Sequence, residues 1–276
     1  MKTIQFTKMV ASGNDFVLVD ARKGGLRPAT EDLSELAKKA CDRKYGVGAD
    51  GLLIIEKSKK AHFKMRIFNP DGSEPTMCGN GARCAALYCD KTAHRTPQTA
   101  NLRFETKAGI LQAKISRDSV KLKMTDPRDL WKNIDLNLGS NFIKVHYINT
   151  GVPHAVFFVG NVDTINVRDI GKRIRFHKQF QPQGANVNFA QLAGKGNIKV
   201  RTYERGVEDE TLACGTGSVA AALVARSINI IEKSPVMIST KGGEVLRVYF
   251  DYKKNKFTDV WLEGSARVVC EGRMYV

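Results

Sequence analysis

Apolar and polar residues alternate from Ile4 to Val10 and again from Phe16 to Asp20. This period of two predicts a pair of strands around the loop Ala11-Ser12-Gly13-Asn14-Asp15. The period then lengthens. Leu33, Leu36, Ala37, Ala40 and Cys41 fall on one helical face, predicting a helix from about Glu31, with Thr30 as N-cap, Glu31 and Asp32 in its first turn and Gly46 as its end. Leu52 to Ile55 and the alternating Phe63, Met65 and Ile67 predict two more strands, followed by the turn Asn69-Pro70-Asp71-Gly72 and a helix over Ala82 to Asp90. Strands are expected at Leu102 to Thr106, Ile110 to Ile115 and Val120 to Met124, while Thr125 to Ser140, with Pro127 and Gly139, reads as an irregular crossing between domains.

The second half repeats this plan. Strands at Phe142 to Ile148 and Ala155 to Val159 precede a helix near Asp169 to Phe176, then strands at Asn186 to Ala190 and Ile198 to Tyr203. An apolar helix, Val219 to Ile228, leads to strands at Val236 to Ser239, Val245 to Phe250, Val260 to Glu263 and Ala266 to Cys270. Many strands and few helices in each half predict two copies of one α/β (α+β) fold.

Composition narrows the function classes. The chain has 276 residues, 42% of them apolar, with no N-terminal apolar region of the leader type. No run approaches the roughly 18 apolar residues of a membrane span, so a soluble cytoplasmic protein is expected. Six cysteines without a CxxC pair fit free thiols in a reducing compartment and no metal site. The net charge of +16 is spread along the chain, without a basic arm or interleaved aromatics, so we read it as a solvated surface without a nucleic-acid or membrane partner. Gly46-Val47-Gly48-Ala49-Asp50-Gly51 has the spacing of a dinucleotide fingerprint. It follows a helix and runs into a strand, the reverse of the order that fold requires, which argues against a nucleotide cofactor.

The candidate chemistry lies in two matching stretches, Cys78-Gly79-Asn80-Gly81 and Cys214-Gly215-Thr216-Gly217, each opening an Ala-rich helix. A helix N-terminus carries unpaired N–H groups and partial positive charge, so it can cradle an anion, and glycines let a ligand approach the backbone. The same field lowers a thiol's pKa. A single cysteine would suit nucleophilic catalysis but leaves the second without a role. Two suit inversion at an acidic carbon, one thiolate removing a proton while a thiol on the opposite face delivers one.

Several further stretches accompany these turns: Lys8-Met9 with Gly13-Asn14-Asp15-Phe16, the Gly46 to Asp50 stretch, Phe68-Asn69-Pro70-Asp71-Gly72-Ser73-Glu74, Pro153-His154, Ala185-Asn186 and Tyr203-Glu204-Arg205-Gly206. In this order, over nearly the whole chain, they resemble the diaminopimelate epimerase family. The resemblance implies two pseudo-symmetric halves, each a curled, mostly antiparallel sheet around a central helix. Residues 1–127 with 265–276 would form one half and 128–264 the other. It implies an isomerase that needs no cofactor, interconverting LL- and meso-2,6-diaminopimelate in lysine and peptidoglycan synthesis, and it allows a homodimer. Cys78 and Cys214 would be the acid/base pair, Gly79, Asn80, Gly215 and Thr216 the cradle for the reacting carboxylate, and His154 a support. Asn69, Asn186 and Arg205 would bind the distal carboxylate, and Asn14 and Glu204 the amino groups.

Three positions depart from the family pattern. Val152 stands where an Asn often precedes Pro-His, Gly51 where a Gln is common, and Ala11 where a Gly is common. They bear on substrate contacts and not on the type of reaction.

Overall fold

In the computed structural model, residues 3–28, 32–92, 100–139, 142–194 and 196–275 are described. The first alternation becomes the hairpin of β1 (Thr3–Ala11) and β2 (Asn14–Asp20). Ser12 and Gly13 between them both have positive φ, 51° and 82°, the two-residue turn whose twist matches that of its strands. The hairpin belongs to a first unit made of residues through Leu122 together with Gly264 onward; Lys123–Glu263 form a second.

In the first unit the chain continues through α1 (Leu33–Cys41), β3 (Gly51–Glu56), β4 (Phe63–Phe68), α2 (Gly79–Thr92), β5 (Ala100–Thr106), β6 (Gly109–Ser116) and β7 (Ser119–Lys123). The second unit runs β8 (Arg128–Asn137), β9 (Phe142–Asn149), β10 (Pro153–Phe158), α3 (Val167–Arg175), β11 (Asn186–Leu192), β12 (Asn197–Glu204), β13 (Asp209–Thr211), α4 (Gly215–Ser227), β14 (Val236–Thr240), β15 (Val245–Lys253) and β16 (Lys256–Ser265). The last strand, β17 (Arg267–Tyr275), returns to pair antiparallel with β1.

The two units share one ladder pattern. Along β17-β1-β2-β3-β4-β5-β6-β7 the pairings run antiparallel, antiparallel, parallel, antiparallel, parallel, antiparallel, antiparallel. Along β8-β9-β10-β11-β12-β14-β15-β16 the same sequence of pairings recurs. Each parallel pair needs a crossover; α1 and α3 supply the first, α2 and α4 the second. The strand that opens the second ladder comes at the start of its unit, whereas its counterpart β17 comes from the chain's end.

Burial follows from these layers. In β3, Leu52 and Ile54 join the cluster under α1 with Leu33, Leu36, Ala37, Ala40 and Cys41, while Leu53 faces Gly81 of α2, as alternation on a strand requires. Truncating Leu52 to Ala in that cluster would cost about 2–5 kcal/mol. Helix α2 packs against β1 to β6 and β17, and α4 against β9, β10, β11, β12, β14 and β15. A helix so enclosed has no solvent face. Residues Asn80 to Cys89 are all buried, and so are Gly217 to Ala225, which explains the alanines that let strands approach from every side.

Four local expectations change. Helix α1 starts at Leu33 with Asp32 as its cap, the carboxylate accepting from the Glu35 amide at 3.0 Å; Thr30 and Glu31 lie outside the described residues. It ends at Cys41, because Asp42 turns extended and binds the amides of Lys44 and Tyr45. Gly46 instead lies against the finished helix, where a Cβ would sit 2.0 Å from the Lys39 carbonyl oxygen. The stretch read as an irregular crossing holds β8. Its register shifts on both sides of Trp131, with positive φ at Asp129 and Asn133, and these bulges break the period of two that would have marked a strand. The three-residue β13 was not expected, being short and polar.

No helix among the described residues is long and apolar enough to cross a membrane.

Candidate active site

Cys78 immediately precedes α2, and Cys214 is the N-cap of α4. Neither forms a disulfide. Each backbone carbonyl accepts the first helical bond, from Ala82 and from Ser218, at 2.9 Å in both cases. Cys78 is half-buried, with its sulfur 3.4 Å from the Gly81 amide. Cys214 is buried, with its sulfur 3.5 Å from the Thr216 hydroxyl.

The thiol of Cys214 does not have the lowered pKa that a helix mouth alone predicts. Burial pushes it up to about 12, the Glu204 carboxylate adds to the rise, and the Thr216 hydroxyl with the Gly217 and Thr216 amides only partly offsets it. Desolvation of a thiolate outweighs the helix field here, so Cys214 is held as a thiol. Glu204 is itself raised by burial, against a hydrogen bond from the Thr211 hydroxyl at 2.9 Å.

In the first unit the expected residues are tied to a chain of directed hydrogen bonds. The buried Arg83 guanidinium donates to Asn80 Oδ1 at 2.9 Å and to the Ser12 hydroxyl. Asn80 Nδ2 donates to Asn14 Oδ1 at 2.6 Å, and Asn14 Nδ2 to Asp50 Oδ2 at 3.1 Å. A cation at one end and a carboxylate at the other fix which way both amides point. Asn69 is apart from this chain: its amide donates to the Ser73 hydroxyl at 2.9 Å in the turn after β4. Gly79 is the first residue of α2, and a Cβ there would meet nothing within 4 Å.

In the second unit Asn186 pairs with His154 across the β10–β11 ladder. Its Nδ2 donates to the Pro153 carbonyl at 3.0 Å, and its Oδ1 accepts from the Arg205 amide at 2.9 Å. The Arg205 guanidinium donates to the Gln183 carbonyl at 3.3 Å. The Thr150 hydroxyl donates to the Thr216 carbonyl at 3.1 Å, bracing the mouth of α4, and the Thr150 amide bonds the Val152 carbonyl. Gly215 opens α4. His154 is fully buried, and burial assisted by Arg205 lowers its pKa to about 3, so it is neutral.

Sequence reasoning missed Arg83, Asn188 and Thr202. The spacing of Asn188, two residues beyond Asn186 on one strand face, was the available signal; nothing in the pattern marked Arg83 as a buried charge.

Comparison with known proteins adds to this geometry. The family model described as diaminopimelate epimerase matches residues 6–130 and 146–268. The diaminopimelate epimerase of Aquifex aeolicus is 41% identical over 283 residues, covering 98% of each chain. That of Methanocella arvoryzae is 41% identical over 288 residues, covering 100% of this chain and 98% of its own. Among solved structures, a Bacillus anthracis phenazine biosynthesis protein of the PhzF family superposes with a TM-score of 0.73 at 19% identity, over 100% of both chains. A hydroxyproline epimerase from Agrobacterium vitis gives 0.71 at 14%, over 99% of this chain and 92% of its own. Those two likenesses establish the fold, a mixed α+β architecture of curled sheets around helices, while near-full-length identity of about 40% carries the activity class: the chain is an isomerase and belongs to the diaminopimelate epimerase family.

Proposed function

We propose that the protein interconverts LL- and meso-2,6-diaminopimelate by a two-base mechanism that needs no cofactor, serving lysine and peptidoglycan synthesis in the cytoplasm. With LL substrate, the Cys78 thiolate takes the α-proton; the C–H bond breaks, an S–H bond forms, and the electron pair passes into the adjacent carboxylate. The Cys214 thiol then gives its proton to the opposite face, leaving a thiolate. The reverse reaction exchanges the roles. Backbone N–H groups of Gly79, Asn80, Gly215 and Thr216 stabilise the developing charge on the carboxylate.

The observation that carries this reading is the recurrence of one cysteine at the mouth of each enclosed helix, in matching crossovers, with the Cys214 thiol kept protonated by burial. Asn69, Asn186 and Arg205 serve the distal carboxylate, Asn14 and Glu204 the amino groups, and His154 supports the thiols. The halves bounded at 127/128 and 264/265 each contribute one thiol. The reading allows a homodimer.

Incubating the protein with LL-diaminopimelate in deuterated water, without added cofactor, is expected to give the meso isomer with deuterium at the inverted α-carbon. Absence of both overturns the reading, as does turnover of a cyclic imino acid that Arg205→Ala leaves untouched.

A further inference from the structure

The two units differ sharply beneath their helix mouths. In the first, Gly81 rests on Leu53, Ile67 and Phe16; a Cβ added there would lie 3.0, 3.3 and 3.6 Å from them. These three are linked by the ladders, Phe16 opposite Gly51 and Leu53 opposite Ile67. In the second unit the same ladder positions hold His154 opposite Asn186 and Asn188 opposite Thr202. An apolar triple is replaced by His154, Asn188 and Thr202, all buried. Gly217 rests on this polar layer, where a Cβ would be 2.1 Å from Asn188 Oδ1 and 3.3 Å from the Cys214 sulfur.

The hydrogen bonds of the triple leave one arrangement. Asn188 Nδ2 lies 3.2 Å from the Ala155 carbonyl oxygen, which only accepts, so this end of the amide is the donor. Asn188 Oδ1 accepts from the Thr202 hydroxyl at 3.0 Å. The second Nδ2 hydrogen points at His154 Nδ1, 3.1 Å away, so Nδ1 accepts and a neutral imidazole carries its proton on Nε2. Among the described residues Nε2 has no partner although it is buried. Leaving a buried donor unpaired costs free energy, and the cost is recovered when an acceptor arrives. The Arg205 cation acts on His154, and Asn186 is its ladder neighbour, which suits an anionic oxygen.

We propose that Asn188, oriented by Thr202, is a positioning residue that locks His154 in the Nε2–H tautomer, which beside its support of the thiols makes it a neutral donor to a carboxylate oxygen of the bound substrate. The donor role rests on the epimerase reading; the tautomer does not. Two-bond proton–nitrogen correlation spectra of the full-length protein with 15N-labelled histidine read the tautomer directly. The expected wild-type result is a His154 with protonated Nε2 and bare Nδ1, and a protonated Nδ1 overturns the lock. Asn188→Leu, which installs the counterpart residue of the first unit, is expected to let the two tautomers exchange and to lower kcat about tenfold or more, with a smaller change in KM. Thr202→Val is a milder form of the same lesion, expected to shift the tautomer populations in the same direction. An unchanged tautomer in the variants overturns Asn188 as its cause, and a mixed tautomer with unchanged kcat overturns the donor role. Failure of the wild type to epimerise diaminopimelate, with the tautomer as stated, counts against the function and not against the lock.

Discussion

The first unit rests the glycine of its helix mouth, Gly81, on Phe16, Leu53 and Ile67; the second rests Gly217 on the layer of His154, Asn188 and Thr202. Backbone pairing, crossover order and helix-mouth glycines agree between the two, so the ladder does not dictate this polarity. Each unit instead puts its buried polar groups in a different place. The first spends them on the chain from Arg83 through Asn80 and Asn14 to Asp50, at the level of the helix mouth. The second spends them one layer deeper, under Gly217. Duplicate folds can therefore hold two chemically unequal thiols, Cys78 half-buried and Cys214 buried and held in the protonated form.

The largest expected effect breaks both sides of the comparison at once. Cys78→Ser and Cys214→Ser should each lower kcat by about 10³-fold or more, since a hydroxyl is a far weaker acid than a thiol. Single-turnover deuterium exchange from each isomer sharpens the result: each variant should retain wash-out only from the isomer whose α-proton faces the surviving thiol. Equal wash-out from both isomers would show that the thiols are not assigned to opposite faces.

The glycines come next. Gly217→Ala must displace the Asn188 amide, fixed by Thr202 and Ala155, and should cost about 1–3 kcal/mol in urea unfolding. Gly81→Ala presses on the Leu53 and Ile67 side-chain ends at 3.0 and 3.3 Å, with Phe16 at an ordinary 3.6 Å, and should cost less. If Gly81→Ala is the more damaging, the polar layer is not the stiffer of the two.

A pH test separates the layers further. The folded-state pKa of His154 lies below its unfolded value, at about 3 against 6.5. The unfolded chain therefore binds the extra proton first as pH falls, and the stability contributed by neutral His154 is complete above about 6.5 and lost towards 3. Between pH 7.5 and pH 5 the wild type should lose about 2 kcal/mol more than His154→Phe, which carries the first unit's residue. Equal losses would place the titration elsewhere. Cys214 runs the opposite way: its raised pKa makes its contribution complete below about 9, and that contribution falls as pH rises towards 12.

The smallest effect tests where the units should agree. Helices α1 and α3 are matching crossovers capped by Asp32 and Asn166, whose side chains accept from the amides three residues on. Asp32→Ala and Asn166→Ala should each cost about 1 kcal/mol, measured by thermal unfolding; a large inequality would mean that one crossover carries more of its unit's stability.

Much of the fold was legible in the chain because burial imposes periods on it. Leu33, Leu36, Ala37, Ala40 and Cys41 marked α1, and Phe63, Met65 and Ile67 marked β4, since each faces one layer only. Strand β8 was illegible for the converse reason: bulges at Asp129 and Asn133 shift its register, and its faces are mostly exposed. Of the candidate site, the cysteines and glycines were visible as a repeated spacing. Arg83 was not, because a buried charge becomes tolerable only through partners, Ser12 and Asn80, that the chain order keeps far apart or gives no reason to join.

The sequence by itself determined the repeated plan, the two thiols at helix mouths and the membership that its motifs announce, because periodicity and local turn chemistry act over a few residues. Tertiary structure alone decided the ionisation of Cys214, the neutrality of His154 and the direction of every amide in the Arg83 and Asn188 networks. These depend on desolvation and on partners from other strands, and neither is a property of any short stretch of chain.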